Sequence, residues 1–258
     1  MAKAGTVTKA MILAAGEGTR LQPLTIDTPK PLLPVAGTPL ICYSLTLLRQ
    51  HGIREVAVNL HHHGQKITDY LGNGSRLGMS IHYSCEEDLL GTAGGVKKVA
   101  HLFDGTFVVL YGDVLTDCDL SALIRFHRKH GGVATLALST AANPWEVGVV
   151  QLDGGSRVLD FVEKPPKGSP VGNLANGGVY VLERAILDYI AESGASDFGF
   201  DVFPRLLREG VPIYGYPLPA ETYLIDIGTP EKYSRAGADV AMGRLRIGIP
   251  LLGRPGVT

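Results

Sequence analysis

Cysteine is scarce in this chain. Cys42, Cys85 and Cys118 are the only three in 258 residues, far apart and without CxxC spacing. That argues against a disulfide framework or a thiolate metal site, and fits a reducing compartment. Net charge is nearly absent as well: a formal −1 provides no basic field for a nucleic-acid backbone. The expected partner is a small molecule, with no nucleic acid. No apolar run approaches the roughly 20 residues that span a membrane. The N-terminal stretch MAKAGTVTKAMILAAGEGTR lacks the length and cleavage site of a signal peptide. The expectation is a cytoplasmic protein without a membrane partner, with homo-oligomerisation left open. Internal repeats, long linkers and low-complexity tracts are missing too. So are two familiar phosphate loops. Leu21 stands where a GxGxxG fingerprint needs its third glycine, and no GxxxxGK[ST] occurs. A nicotinamide-dependent oxidoreductase falls with that glycine.

What is present is ordinary globular composition, 45% hydrophobic and 19% charged, in a chain long enough to bury a substantial core. Short β-rich runs alternate with helical patterns. Lys9 to Ala14 reads as a strand, and Pro39 to His51 spaces its apolar residues as one helix face would. Glu55 to Leu60 is a strand, Ile67 to Leu71 lies in a helix, and Phe107 to Tyr111 is a strand buried on both faces. Ser121 to His130 is helical and Val133 to Ser139 a strand. Further short strands follow at Val147 to Leu152, Val158 to Glu163, Gly178 to Leu182 and Ile213 to Tyr216. The rhythm predicts an α/β fold: a doubly wound, mostly parallel, Rossmann-like sheet, with ligands outside the carboxyl ends of its strands.

The densest chemistry is Leu13-Ala14-Ala15-Gly16-Glu17-Gly18-Thr19-Arg20, continuing to Pro29-Lys30-Pro31. A strand running into Gly16 and Gly18 lets backbone N–H groups close on an anion. Arg20 adds a forked cation and Lys30 a point charge, which together suit a triphosphate. Glycine pairs alone usually make tight turns; the two cations and the Pro-Lys-Pro raise this one above that reading.

At these residues the chain resembles the sugar-1-phosphate nucleotidyltransferases, the NDP-sugar pyrophosphorylases, and within them the mannose-1-phosphate guanylyltransferase branch. LAAGEGTRLQPLT, PKPLLPVAGTPLI, HGIREVAVNL, LGTAGGVKKV, YGDVLTDCDL, FVEKP, NGGVYVLE and DIGTPEKY occur in the family's order across nearly the whole chain. The resemblance implies one nucleotidyltransferase domain over 1–258, with a nucleotide-binding half to about residue 130 and a sugar-phosphate-binding half over about 131–240. The stretch after Pro230 is too short for the C-terminal β-helix many members carry. It implies a reaction of an NTP, with GTP first, and a sugar 1-phosphate such as mannose 1-phosphate or a heptose phosphate. Arg20, Lys30 and Asp113 would be catalytic. Leu13, Ala14, Ala15, Gly16, Gly18, Thr19, Arg20, Lys30, Glu87, Gly91, Thr92 and Gly112 would bind nucleotide. Gly148, Glu163, Lys164 and Asn176 would bind the sugar phosphate. Asp113 and Asp226 would hold Mg²⁺, which prefers few carboxylates plus water and phosphate oxygens. Gly177, where the family has alanine, and Leu224, where it often has an aromatic, leave the sugar open. Alternatives are a dTTP-, UTP- or CTP-dependent transferase and a non-catalytic paralogue that binds nucleotide sugars and regulates a partner.

Taken singly, either aspartate is more often a cap or turn residue. Asp117 and Asp119 fit that reading and are expected to cap the following helix. His61-His62-His63 cannot all face one ion and is expected in a loop. Within Glu86-Glu87-Asp88 two acids are expected to be solvated, and one to accept from guanine's adjacent donors.

Overall fold

The computed structural model describes residues 6–248. Residues 1–5 of the N-terminal stretch and the tail after residue 248 lie outside the described residues. The fold is α/β, as expected, with helices and a mixed, mostly parallel sheet. The chain forms two compact units interleaved along the sequence. The first unit takes Thr8–Leu89, Leu110–Cys118 and the segment from Thr222 onward; the second takes Leu90–Val109 and Asp119–Glu221.

The first unit is parallel. Strand Glu55–Leu60 pairs with Lys9–Leu13 on one side and Ser80–Cys85 on the other, in registers Lys9↔Glu55 and Leu60↔Cys85. Its connecting helix, Leu40–Gln50, was expected to bury one face. Instead every residue from Leu40 to Leu48 is buried, including Cys42, Ser44 and Thr46. A helix closed in on all sides needs its polar groups satisfied. The Thr46 hydroxyl accordingly donates to the Cys42 carbonyl at 2.7 Å. Burial pushes the Cys42 thiol up to about 11. Strand Leu224–Asp226 pairs antiparallel with Val114–Thr116. Helix Pro230–Ala241 follows, with the Thr229 hydroxyl accepting from Lys232 N.

The second unit is mainly antiparallel. Strand Leu174–Leu182 pairs with Ala134–Thr140 and Gly148–Leu152, and the latter with Val158–Glu163. Ile213–Pro217 adds a parallel neighbour to Ala134–Thr140. Its core holds the rings of Tyr180, Phe198 and Phe203, with centroids 5.3 to 5.5 Å apart. Asp119 caps helix Leu120–His130 as expected, accepting from Ala122 N at 2.9 Å. Asp117 does not cap it. Its carboxylate accepts from Tyr223 N at 2.7 Å and Arg246 N at 3.1 Å, stitching distant segments of the first unit. Two residues too early to meet the helix's free amides, it takes one amide beside the β-ladder, Tyr223, and one beyond the last helix, Arg246.

Candidate active site

In the first unit the glycine loop leaves strand Lys9–Leu13 at its carboxyl end. Ala14 N–H does not stay free: it donates to Asn59 Oδ1 at 2.7 Å, and Asn59 Nδ2 donates to Glu86 Oε1 at 2.8 Å. Asn59 and Glu86 are 3% and 5% exposed, so the relay fixes the loop's first peptide from inside the fold. Gly16 and Glu17 are exposed. Gly18 has φ +68°, a left-handed turn that glycine adopts without strain, and its carbonyl accepts from the Thr25 hydroxyl at 2.9 Å. That turn starts the short 3-10 segment Thr19–Leu21 and leaves Thr19 and Arg20 at the surface.

Strand Phe107–Tyr111 ends close by. Gly112 N donates to Leu13 O at 2.8 Å, and a Cβ on Gly112 would sit 2.6 Å from that carbonyl. Only glycine lets these two strand ends approach so closely. Asp113 follows, and Lys30 Nζ donates to its Oδ2 at 2.6 Å across 83 residues of sequence. Lys30 is 8% exposed, a depth a lysine tolerates when paired. The ladder brings Asp226 alongside: Asp226 faces Val114, and Ile227 N donates to Asp113 O at 2.8 Å. Arg20 arrives at the same place. A Cβ on Gly228 would lie 3.1 Å from Arg20 Nη2 and 3.0 Å from Asp226 Oδ1. Lys232 Nζ lies 3.3 Å from Asp226 Oδ2.

Asp226 Oδ1 is buried and has no hydrogen-bond partner. An unpaired buried carboxylate oxygen is costly and calls for a partner. Two carboxylates, Asp226 at the end of its strand and Asp113 just before the paired strand, one with an oxygen unclaimed, form an all-oxygen donor set. That fits Mg²⁺, which takes one or two carboxylates and completes its shell with water and phosphate. The pair would hold the ion; Lys30 and Lys232 neutralise the acids otherwise.

In the acidic run Glu86 is the buried member, while Glu87 and Asp88 are exposed. Strand register decides this: Leu60 pairs with Cys85, and Glu86 N continues the ladder by donating to Leu60 O at 2.7 Å.

Gly91 and Thr92 fold with the second unit. Gly91 has φ +73°, and a Cβ there would lie 2.5 Å from Ser196 O. The Thr92 hydroxyl donates to Asp197 Oδ1 at 2.9 Å and accepts from Phe198 N at 2.9 Å. Thr92 thus latches the start of helix Gly91–Lys98 to the segment 196–198. Glu163 ends strand Val158–Glu163, beside Gly148 and Gly199; a Cβ on either glycine would lie 2.5 Å from Glu163 Oε2. Burial holds the Glu163 carboxyl above its usual range; Lys164 opposes that and Asp197 adds to it. Lys164 sits at φ +47°. Such a conformation in a lysine is strained and persists where its surroundings enforce it. Asn176 Nδ2 donates to Tyr180 Oη at 2.6 Å, where the register of strand Leu174–Leu182 shifts. Bulges of this kind re-aim side chains beside sites.

Asn59, Lys232, Asp197 and Gly199 were not marked in the sequence, and Glu86 was marked only as one of three adjacent acids. A lone polar residue inside VAVNL was a signal for Asn59; nothing local pointed to Lys232, Asp197 or Gly199. Comparison with known proteins now decides the family. A nucleotidyl transferase family profile matches residues 9–243. The chain belongs to that family. Among the relatives of this nucleotidyl transferase, the UTP--glucose-1-phosphate uridylyltransferase of Synechocystis sp. is 39% identical, over 96% of this chain and 68% of the relative. The mannose-1-phosphate guanylyltransferase of Mycobacterium tuberculosis is also 39% identical, over 91% of this chain and 65% of the relative. The chain thus spans about two thirds of the length of these relatives. A Bacillus anthracis protein assigned as a glucose-1-phosphate thymidylyltransferase, solved with a sucrose, superposes at TM-score 0.82 with 25% identity, covering 93% of this chain and 97% of that one. Among the described residues no helix is long and apolar enough to cross a membrane.

Proposed function

We propose that this nucleotidyl transferase is a sugar-1-phosphate nucleotidyltransferase, using GTP and mannose 1-phosphate or a related sugar phosphate. The observation that carries it is the first unit's charge cluster: Lys30 on Asp113 at 2.6 Å, with Arg20 and the unpartnered Asp226 oxygen meeting at Gly228. The chemistry asks for little more. A sugar-phosphate oxygen is already anionic, so no general base is required. It forms a bond to the α-phosphorus as the α–β phosphoanhydride bond breaks and pyrophosphate leaves. The barrier is charge repulsion and geometry, which positioned cations lower. The glycine loop and Arg20 hold the departing phosphates, and Lys30 stabilises the α-phosphate. Mg²⁺, held by Asp113 and Asp226, would neutralise phosphate oxygens. In the second unit Glu163 and Asn176 take sugar hydroxyls, Gly148 offers a backbone contact, and Lys164 takes the 1-phosphate. Glu87 is the acid offered to guanine, on a segment that Glu86 anchors through Asn59. Gly91 and Thr92 are also assigned to the nucleotide.

A second reading, UTP with glucose 1-phosphate, is favoured by the Synechocystis relative, which is as similar as the guanylyl one over slightly more of the chain. A pyrophosphate-release screen of GTP, UTP, dTTP and CTP against mannose, glucose and heptose 1-phosphates separates the two. GTP preference supports Glu87 in base selection; a pyrimidine preference removes that role and keeps the transferase. Silence across the whole grid refutes both.

A further inference from the structure

Phe200 stands out among the large apolar side chains. It is 59% exposed, while Phe198, Val202 and Phe203 around it are fully buried. These residues form a π-helical turn, Phe198–Val202, leading into helix Phe203–Arg208. Single π-turns are rare and recur at functional sites, because the extra residue per turn pushes a side chain out of the helical pattern. Here the residue left facing outward is an aromatic ring, which in solvent forfeits the burial its neighbours gain.

The ring does not point at nothing. Lys164 Nζ lies 5.8 Å from its centroid, within the range where an ammonium is attracted to the face of an aromatic ring. The preceding residue makes the matching contact. Gly199 lies so close to Glu163 that a Cβ would fall 2.5 Å from Oε2 and 3.1 Å from the carboxyl carbon. Two consecutive residues of the π-turn therefore meet two consecutive residues of the strand end, Gly199 against Glu163 and Phe200 against Lys164. Lys164 needs such a bed. Its backbone is held at φ +47°, and its long side chain has many rotamers to lose before it can hold a phosphate in one place.

We propose that Phe200 is a positioning residue of the acceptor half-site, whose ring holds the Lys164 ammonium where the sugar 1-phosphate is bound. This rests on the assignment of Lys164 to that phosphate. The cation–ring attraction sets the order expected of replacements: Trp above Tyr and Phe, and all three above Leu. Phe200→Leu keeps bulk and apolarity but has no π-face.

The test is steady-state kinetics of wild type, Phe200→Leu, Phe200→Tyr and Phe200→Trp on the best sugar 1-phosphate from the substrate screen. It is paired with calorimetric binding of mannose 1-phosphate and glucose 1-phosphate. Phe200→Leu should raise the sugar-phosphate KM about two- to fivefold, the loss expected for one exposed cation–ring contact. The KM for the nucleotide and the melting temperature should stay unchanged. Phe200→Tyr and Phe200→Trp should restore the KM. An unchanged KM in Phe200→Leu overturns the proposal. So does failure of both aromatics to rescue. An equal loss in Trp145→Leu also overturns it, because that ring, 5.1 Å from Lys167 on the same loop, would then show that the loop as a whole is responsible. If wild type binds neither sugar phosphate and releases no pyrophosphate, the functional reading fails first, and the calorimetry shows which has failed.

Discussion

The two units arrange their candidate site residues by opposite means. In the first, parallel strand ends and one antiparallel ladder bring charges from distant parts of the sequence to one place: Lys30, Asp113, Arg20 and Asp226. Each charge there has an opposite charge nearby. In the second, the strands are mainly antiparallel, with a register shift after Asn176, and a left-handed lysine and a π-turn adjoin a half-buried carboxylate held above its usual range by burial. The first arrangement suits a group that brings its own dense negative charge. The second suits a neutral, hydroxyl-rich ring, recognised by shape and a few hydrogen bonds. The difference teaches that charge is arranged by topology in one unit and by local backbone distortion in the other. Substitutions should therefore fail differently in the two.

The sharpest division should come from Asp226→Asn. Its Oδ1 has no partner to lose, so folding should change little, with a melting temperature close to wild type. Turnover should fall by about a hundredfold or more, the usual effect of removing a group that stabilises developing charge. A variant that melts early and keeps its turnover would reverse the assignment. Next is Gly199→Ala, the corresponding break in the second unit. A methyl group 2.5 Å from Glu163 Oε2 must displace the carboxylate. The KM for sugar phosphate should rise by about tenfold to a hundredfold, since misplacement by about 1 Å costs on that order. The nucleotide KM should hold; a rise in it instead would erase the contrast between the two units.

Arg20→Lys should cost about tenfold in kcat/KM. The charge remains but the fork is lost, and a point charge does not replace bidentate phosphate recognition. Unchanged kinetics would remove Arg20 from the reaction. The smallest effect is in stability against pH. The folded-state pKa of Glu163 is raised, mainly by burial. The folded protein therefore binds more protons than the unfolded chain between the ordinary carboxyl value and the raised one. Stability should fall slightly as pH rises through that window and then level off. Glu163→Gln, which cannot ionise, should lack this decline. Denaturant midpoints of both proteins between pH 4 and 7 check it, and parallel curves would show that the carboxylate is not penalised.

Much of this was legible in the residues. The strands Glu55–Leu60, Phe107–Tyr111 and Val158–Glu163 were located to the residue, because alternation and continuous apolar runs are local signals. The glycine loop and its cations were legible for the same reason: turn chemistry and charge lie within a few neighbours. Helix Pro230–Ala241 was not, though Thr229 and Pro230 form its start, because its own apolar stripe is thin; it buries only Ala236 and Asp239. Helix Leu40–Gln50 was recognised, but its full enclosure was not. Periodicity shows which residues are apolar, not what covers the polar ones.

The sequence by itself determined the α/β alternation, the anion loop and the acids that end buried strands, since each follows from patterns shorter than one element. Tertiary structure alone decided the pairings. Lys30 reaches Asp113, Asp226 lies alongside Asp113, and Glu86 rather than Glu87 turns inward. Asp117 serves a strand partner, and Gly199 presses on Glu163. These depend on register between segments far apart in the chain. A shift of one residue exchanges the inward and outward faces of a strand, and that register is fixed by the packing of the whole ladder.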